Sequence, residues 1–153
     1  MDIDGNELAG SNDFPNLKPE DFDPVSEESE QYNCLAWAAG VNTEWWEPSV
    51  DGVWPDWLAQ DLSPETLIRL YESLGYERCD SSAREPGFEK IVIYGDQAEY
   101  EHAARQLPDG TWTSKLGLGI DINHKTVECL AGGPYGAPLI FLKRRFHGRA
   151  NEG

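Results

Sequence analysis

Basic side chains are scarce in this chain. Only 12 Lys and Arg stand against 28 Asp and Glu, a formal net charge of −16. Phosphate binding runs on clustered Lys and Arg, so the balance argues against DNA, RNA and an anionic membrane surface as partners. Cysteine is rarer still, with Cys34, Cys79 and Cys129. An odd count in a chain of ordinary size does not suit a disulfide scaffold, and the thiols are expected to be reduced, as in a cytosol. The three lie far apart with no Cys-x-x-Cys and no His at short spacing, so no metal site is expected. The Gly132–Gly136 stretch (GGPYG) lacks the Lys-Ser or Lys-Thr of a phosphate loop. It reads as a turn, and no cofactor is expected. No run approaches the ~20 apolar residues of a membrane span, and the acidic N-terminus is unlike a signal peptide. On these absences the chain is expected in the cytoplasm, with secretion by a signal-independent route left open.

What is present suits one small domain. Apolar residues make up 39% of 153 residues, six of them Trp, enough for a core without staples. Residues 1–24 are acidic and rich in Asp, Asn, Gly and Pro; alone they would be disordered, though Phe14, Leu17 and Phe22 are placed to pin them down. Residues 25–146 read as the folded domain and 147–153 as a C-terminal tail. From Gln31 to Val41 a short helix of small residues is expected, with Asn33 as N-cap and Gly40 and Asn42 as its stop. Residues 45–57 form an aromatic loop. Ser63-Pro64 opens a second helix with apolar residues at Leu67, Leu70, Tyr71 and Leu74, halted by Gly75.

Strand signals follow. Tyr76–Cys79 is weak and Phe88–Tyr94 (FEKIVIY) strong. His102–Leu107 and Thr111–Leu116 flank Pro-Asp-Gly and read as a hairpin. Asn123 is expected to cap a short helix through Leu130, and Pro138–Arg144 to form a last strand. Two helices followed by strands predict an α+β domain with an antiparallel sheet.

The candidate chemistry centres on Cys34. At a helix start, free amides and the helix dipole favour a thiolate; the competing reading is a buried packing cysteine. His102, at a strand start beside Ala103 and Ala104, is the candidate base. His124 and His147 are poorer choices. Across the hairpin Ser114 is the favoured group to orient the imidazole, with Thr113 the local alternative. Lys115 alternates to the opposite face. Trp45, Trp46, Trp54 and Trp57 either line a substrate cleft beside Cys34 or complete the core.

The stretch YNCLAWAAG resembles the nucleophile helix of papain-like cysteine hydrolases. HAARQLPDGTWTS is similar to the hairpin of the NlpC-type peptidoglycan endopeptidases, in which a His and a later polar residue are separated as His102 and Ser114 are. Tyr32–Arg145 as a whole resembles a group of bacterial proteins of uncharacterised activity. They carry NC-A-WA, a Trp-Trp segment, FEK, HAARQL-DG-WTSKLG and a late YG. The resemblance implies a papain-like, NlpC-like fold, Cys34 as nucleophile and His102 as base. Ser114 stands where that family has His, Asn or Asp. Gln31, Tyr32 and Asn33 are then the candidates for holding an oxyanion. The expected function is hydrolysis or acyl transfer at an amide or thioester of a peptide or protein substrate, through a covalent Cys34 intermediate. The alternative is a non-catalytic acidic interaction module, of the immunity or adaptor kind, on the same fold.

Overall fold

The computed structural model describes residues 14–26, 31–49, 52–116 and 120–145. Its strands are β1 (Phe22–Ser26), β2 (Glu77–Cys79), β3 (Phe88–Gly95), β4 (Tyr100–Gln106), β5 (Trp112–Lys115), β6 (Asp121–His124) and β7 (Ala137–Arg145). All pair antiparallel in one sheet of order β1-β6-β5-β4-β3-β7-β2. Two helices, α1 (Cys34–Ala38) and α2 (Pro64–Glu72), fall between β1 and β2 in sequence.

This architecture overturns the expected papain-like, NlpC-like α+β fold, because the chain is predominantly β. The helix expected over residues 31–41 has only five residues, and α2, with nine, is the only longer helix among the described residues. Local chemistry explains the shortness of α1. Asn33 is extended and caps it by accepting the Ala36 amide. At the other end Val41 N–H reaches back to Ala36 O at 2.9 Å across Gly40, whose φ of +85° is the left-handed turn of a Schellman stop.

The two faces of the sheet carry separate cores. On one, which we call the helical face, Leu67, Ile68, Leu70 and Tyr71 of α2 pack with Leu35 and Ala38 of α1 over Ile91, Ile93, Ala103 and Leu142. Full burial of such side chains contributes about 1.5–3 kcal/mol each. Tyr71 ties the helices together by donating its hydroxyl to Leu35 O at 2.9 Å. The opposite face is covered by loops. Phe14, Leu17, Phe22, Val127 and Leu130 pack over Val92, Tyr94, Ala104, Trp112 and Ile122. Phe14, Leu17 and Phe22 thus hold the N-terminal segment to the domain, and the boundary expected at residue 24 falls inside β1. The rest of the acidic segment, residues 1–13, and the tail at 147–153 with His147 lie outside the described residues.

The hairpin forms at Asp109-Gly110, where Gly110 takes φ +92° and Leu107 N–H donates to Thr111 O at 2.7 Å. It sets Arg105 opposite Thr113 and Gln106 opposite Trp112. Asn123 is not a helix cap. It lies in β6 opposite Thr113, because Ile120 and Ile122 repeat at the period of a strand. Only a three-residue 3-10 turn, Glu128–Leu130, follows. At one edge of the sheet, β1 slips register between Pro24 and Ser26; at the other, β2 is three residues long.

Candidate functional site

Strand alternation decides where the candidate residues go. Ala103 of β4 pairs with Ile93 and faces α1; His102 pairs with Tyr94 and faces the other way. Cys34 packs on the helical face, with the backbone of Ala103 next to its sulfur. The imidazole of His102 lies beneath the opposite face, stacked on Tyr135 with ring centroids 4.1 Å apart. The sheet therefore separates Cys34 from His102, and the structure does not bring the expected nucleophile and base together.

It does bring His102 and Ser114 together. Both residues point to the loop-covered face, and His102 Nε2 lies 3.0 Å from Ser114 Oγ. The contact continues into a chain that the sequence did not suggest. Ser114 Oγ is 2.8 Å from His124 Nε2, and His124 Nδ1 is 2.8 Å from Thr126 O. A carbonyl can only accept, so the hydrogen-bond pattern assigns the proton of His124 to Nδ1. His124 Nε2 then accepts from the Ser114 hydroxyl, and Ser114 accepts from His102 Nε2–H. His102 Nδ1 is left buried with no partner. Both imidazoles are neutral: desolvation holds His102 well below its ordinary value, with the neighbouring His124 adding to it, and desolvation takes His124 down to about 4. The chain is closed off from solvent, so it is a structural network within the core.

Cys34 meets a different environment. It is half-buried, and desolvation pushes its thiol up to about 11 against the weaker pull of neighbouring backbone groups and the Lys115 ammonium. One short turn of helix does not offset that desolvation. Lys115 is fully buried on the helical face, opposite Asp121 in register and with its ammonium 5.3 Å from the Tyr32 ring centroid. Thr113, on the same face, accepts Trp37 Nε1–H at 3.0 Å. Two of the expected oxyanion donors, Tyr32 and Asn33, are committed elsewhere. Tyr32 donates its hydroxyl to Asp121 Oδ2, and Asn33 Nδ2 donates to Trp46 O at 2.7 Å. Gln31 is exposed at the entry to α1.

Trp45 and Trp46 do lie beside Cys34. They line a cleft of about 420 Å³ together with Asn33, Leu35, Pro48, Leu62 and Tyr100. Asn33 fixes one wall, accepting Trp46 N–H on Oδ1 at 3.2 Å while its Nδ2 holds Trp46 O. Val53 N–H donates to Trp45 O at 2.8 Å and closes the loop. Trp54 is outside the cleft lining but, like Trp46, packs on the helical-face core, and Trp57 is 64% exposed. The cleft also holds Glu47, Asp61 and Glu101, with no Lys, Arg or His among its lining residues. The Thr66 hydroxyl, with Ser63, keeps Asp61 below the usual carboxylate range. Partial burial, then Glu99 and Asp96, pushes Glu101 above it. Sequence reasoning missed Tyr100 and these three carboxylates because they come from separate segments. Their common signal is an aromatic or acidic residue beside a turn.

Among the described residues no group of three or more His, Cys, Asp or Glu is arranged to hold a metal ion. No helix among them is long and apolar enough to cross a membrane. Residues 24–143 match the family described as "Domain of unknown function (DUF7689)", and the chain belongs to that family. No curated protein and no solved structure matches the chain.

Proposed function

We propose that this member of the DUF7689 family is a non-catalytic protein-interaction module whose contact surface is the cleft between Trp45, Trp46 and Tyr100. The observation that supports it best is the composition of that cleft. It is aromatic and acidic, it has a protonated thiol along one wall, and it has no imidazole to take a proton from that thiol. Aromatic side chains held by backbone bonds, as Trp46 is by Asn33, give contact area at little entropic cost.

A photo-crosslinking amino acid in place of Leu62, a 42% exposed residue of the cleft, provides the test. Irradiation is expected to trap one intact partner, and Trp46→Leu to abolish the adduct. A partner released cleaved, deamidated or acylated would contradict the reading.

Hydrolysis or acyl transfer through Cys34 is the second reading, favoured by the thiol's place in the same cleft. It requires a base other than His102. Its signature is a covalent acyl adduct on Cys34 that forms from an amide or thioester and turns over.

A further inference from the structure

We propose that the cleft takes the cationic side chain of a lysine or arginine on the partner, seated against Trp45, Trp46 and Tyr100 with Glu47, Asp61 and Glu101 as counter-charges. This rests on the interaction-module reading and names what such a module recognises.

The first support is charge complementarity. Three carboxylates line the cleft and no basic side chain does. Glu101 is crowded by Glu99 and Asp96, a repulsion that an incoming cation relieves. An apolar occupant would strip water from these carboxylates and return nothing for it.

The second support is independent of the acidic groups. Tyr100 is only 7% exposed, and its hydroxyl is buried without a hydrogen-bond partner. The charged groups that act on that hydroxyl belong to Cys34, Asp61 and Glu47, which line the same cleft as Tyr100 itself. Its oxygen lacks a donor within the chain and can accept an N–H of an ammonium or guanidinium once the ring shifts to admit it, with Asp61 and Glu47 acting on the same atom. A buried polar atom left unsatisfied is costly, and a donor arriving with the ligand removes that cost.

The third support is the walls. Indole and phenol faces carry negative potential and attract cations, more strongly once water is excluded. Pro48 and Leu62 give an apolar bed for the methylene stem of a long basic side chain. The net charge of −16 steers basic surfaces toward the chain as a whole.

The full chain is panned against a displayed library of random peptides. Recovered peptides are synthesised and titrated by calorimetry against wild type and variants whose folding is checked by circular dichroism. Lys and Arg are expected to be enriched, and norleucine in place of the anchoring residue to abolish binding. Tyr100→Phe, which changes no charge, and Glu101→Gln are each expected to weaken binding about fivefold. Glu128→Gln, an exposed carboxylate between Val127 and Cys129 of the loop over the other face of the sheet, is expected to change it less than about twofold. Peptides that require Trp46 (lost in Trp46→Leu, reduced in Trp46→Phe) yet tolerate norleucine would overturn the cation and leave the interaction module standing. Equal weakening by Glu128→Gln and Glu101→Gln, or none by Tyr100→Phe, would also overturn it as diffuse attraction to an acidic protein. Recovery of no peptide whose binding depends on Trp46 would overturn both readings.

Discussion

The carboxamide of Asn33 bonds both backbone groups of Trp46, donating to its carbonyl at 2.7 Å and accepting its amide at 3.2 Å. The same oxygen accepts Ala36 N–H and caps α1. One side chain therefore sets both the start of a helix and the position of a cleft wall. Asn33→Ala removes a cap, worth about 1 kcal/mol, and two further bonds of about 0.5–1.5 kcal/mol each. We expect a total loss of about 2–4 kcal/mol in urea unfolding. Asn33→Asp keeps the acceptor but loses the donor to Trp46 O and sets a carboxylate oxygen against that carbonyl. It should cost about 1–3 kcal/mol and red-shift the tryptophan fluorescence as the loop loosens.

The neutral histidine chain makes the fold acid-sensitive. His102 is faced by Ser114, Tyr94 and Tyr135, and His124 by Ser114 and the Thr126 carbonyl, none of them a countercharge. Both folded-state values lie below the ordinary 6.5. The unfolded chain therefore binds these protons first as pH falls. The stabilisation is fully present above pH 6.5 and is lost between 6.5 and the folded value. For His124, down to about 4, that loss reaches about 3 kcal/mol by pH 4. Urea midpoints measured from pH 7 to pH 4 should fall steadily. A midpoint flat to pH 4.5 would contradict the buried neutral assignment.

Cys34 should be a sluggish nucleophile. With its thiol pushed up to about 11, the thiolate is scarce at pH 8. Iodoacetamide should react on the order of a hundredfold more slowly than with a free cysteine. Peptide mapping by mass spectrometry separates Cys34 from the half-buried Cys79 and buried Cys129. Alkylation of Cys34 as fast as a free thiol, unaffected by His102→Ala, would show that some other group activates it and would favour the catalytic reading.

Tyr32 and Asp121 supply the fourth prediction. The Tyr32 hydroxyl is a donor to a carboxylate that is fully buried. Tyr32→Phe leaves the ring stacked on Trp37 but removes that donor, at an expected cost of about 1–3 kcal/mol. Thermal unfolding would measure it, and the wild-type midpoint would contradict the role.

Several of these features can be read from the sequence because their causes are local. The Asn33 cap, the Asp109-Gly110 turn and the β-branched run of β3 each depend on neighbours a few residues away. Even the closeness of His102 and Ser114 follows from counting across the turn. Which face α1 covers does not. Ala103 and Ala104 are both small enough to lie beneath a helix, so the sequence does not show that Ala103 faces Cys34 and His102 turns away. The cleft was hidden for another reason. Asn33, Trp46, Asp61 and Tyr100 meet only when α1, the aromatic loop and the start of β4 converge.

The two rims of the sheet have a consequence for concentrated solutions. An unpaired strand edge offers its amides and carbonyls to a second chain, the usual start of edge-to-edge self-association. Here one rim carries Pro24, which has no N–H to offer, at a slip in register, with Asp23 beside it. The other rim ends in β2, only Glu77–Cys79 with charge at Glu77 and Arg78, which covers Phe141–Lys143 of the nine-residue β7. Pro24 and the short, charged β2 blunt the outermost strand at each rim, which leaves Ala137–Ile140 of β7 as the stretch without an outer strand among the described residues, where a neighbouring molecule would extend the ladder.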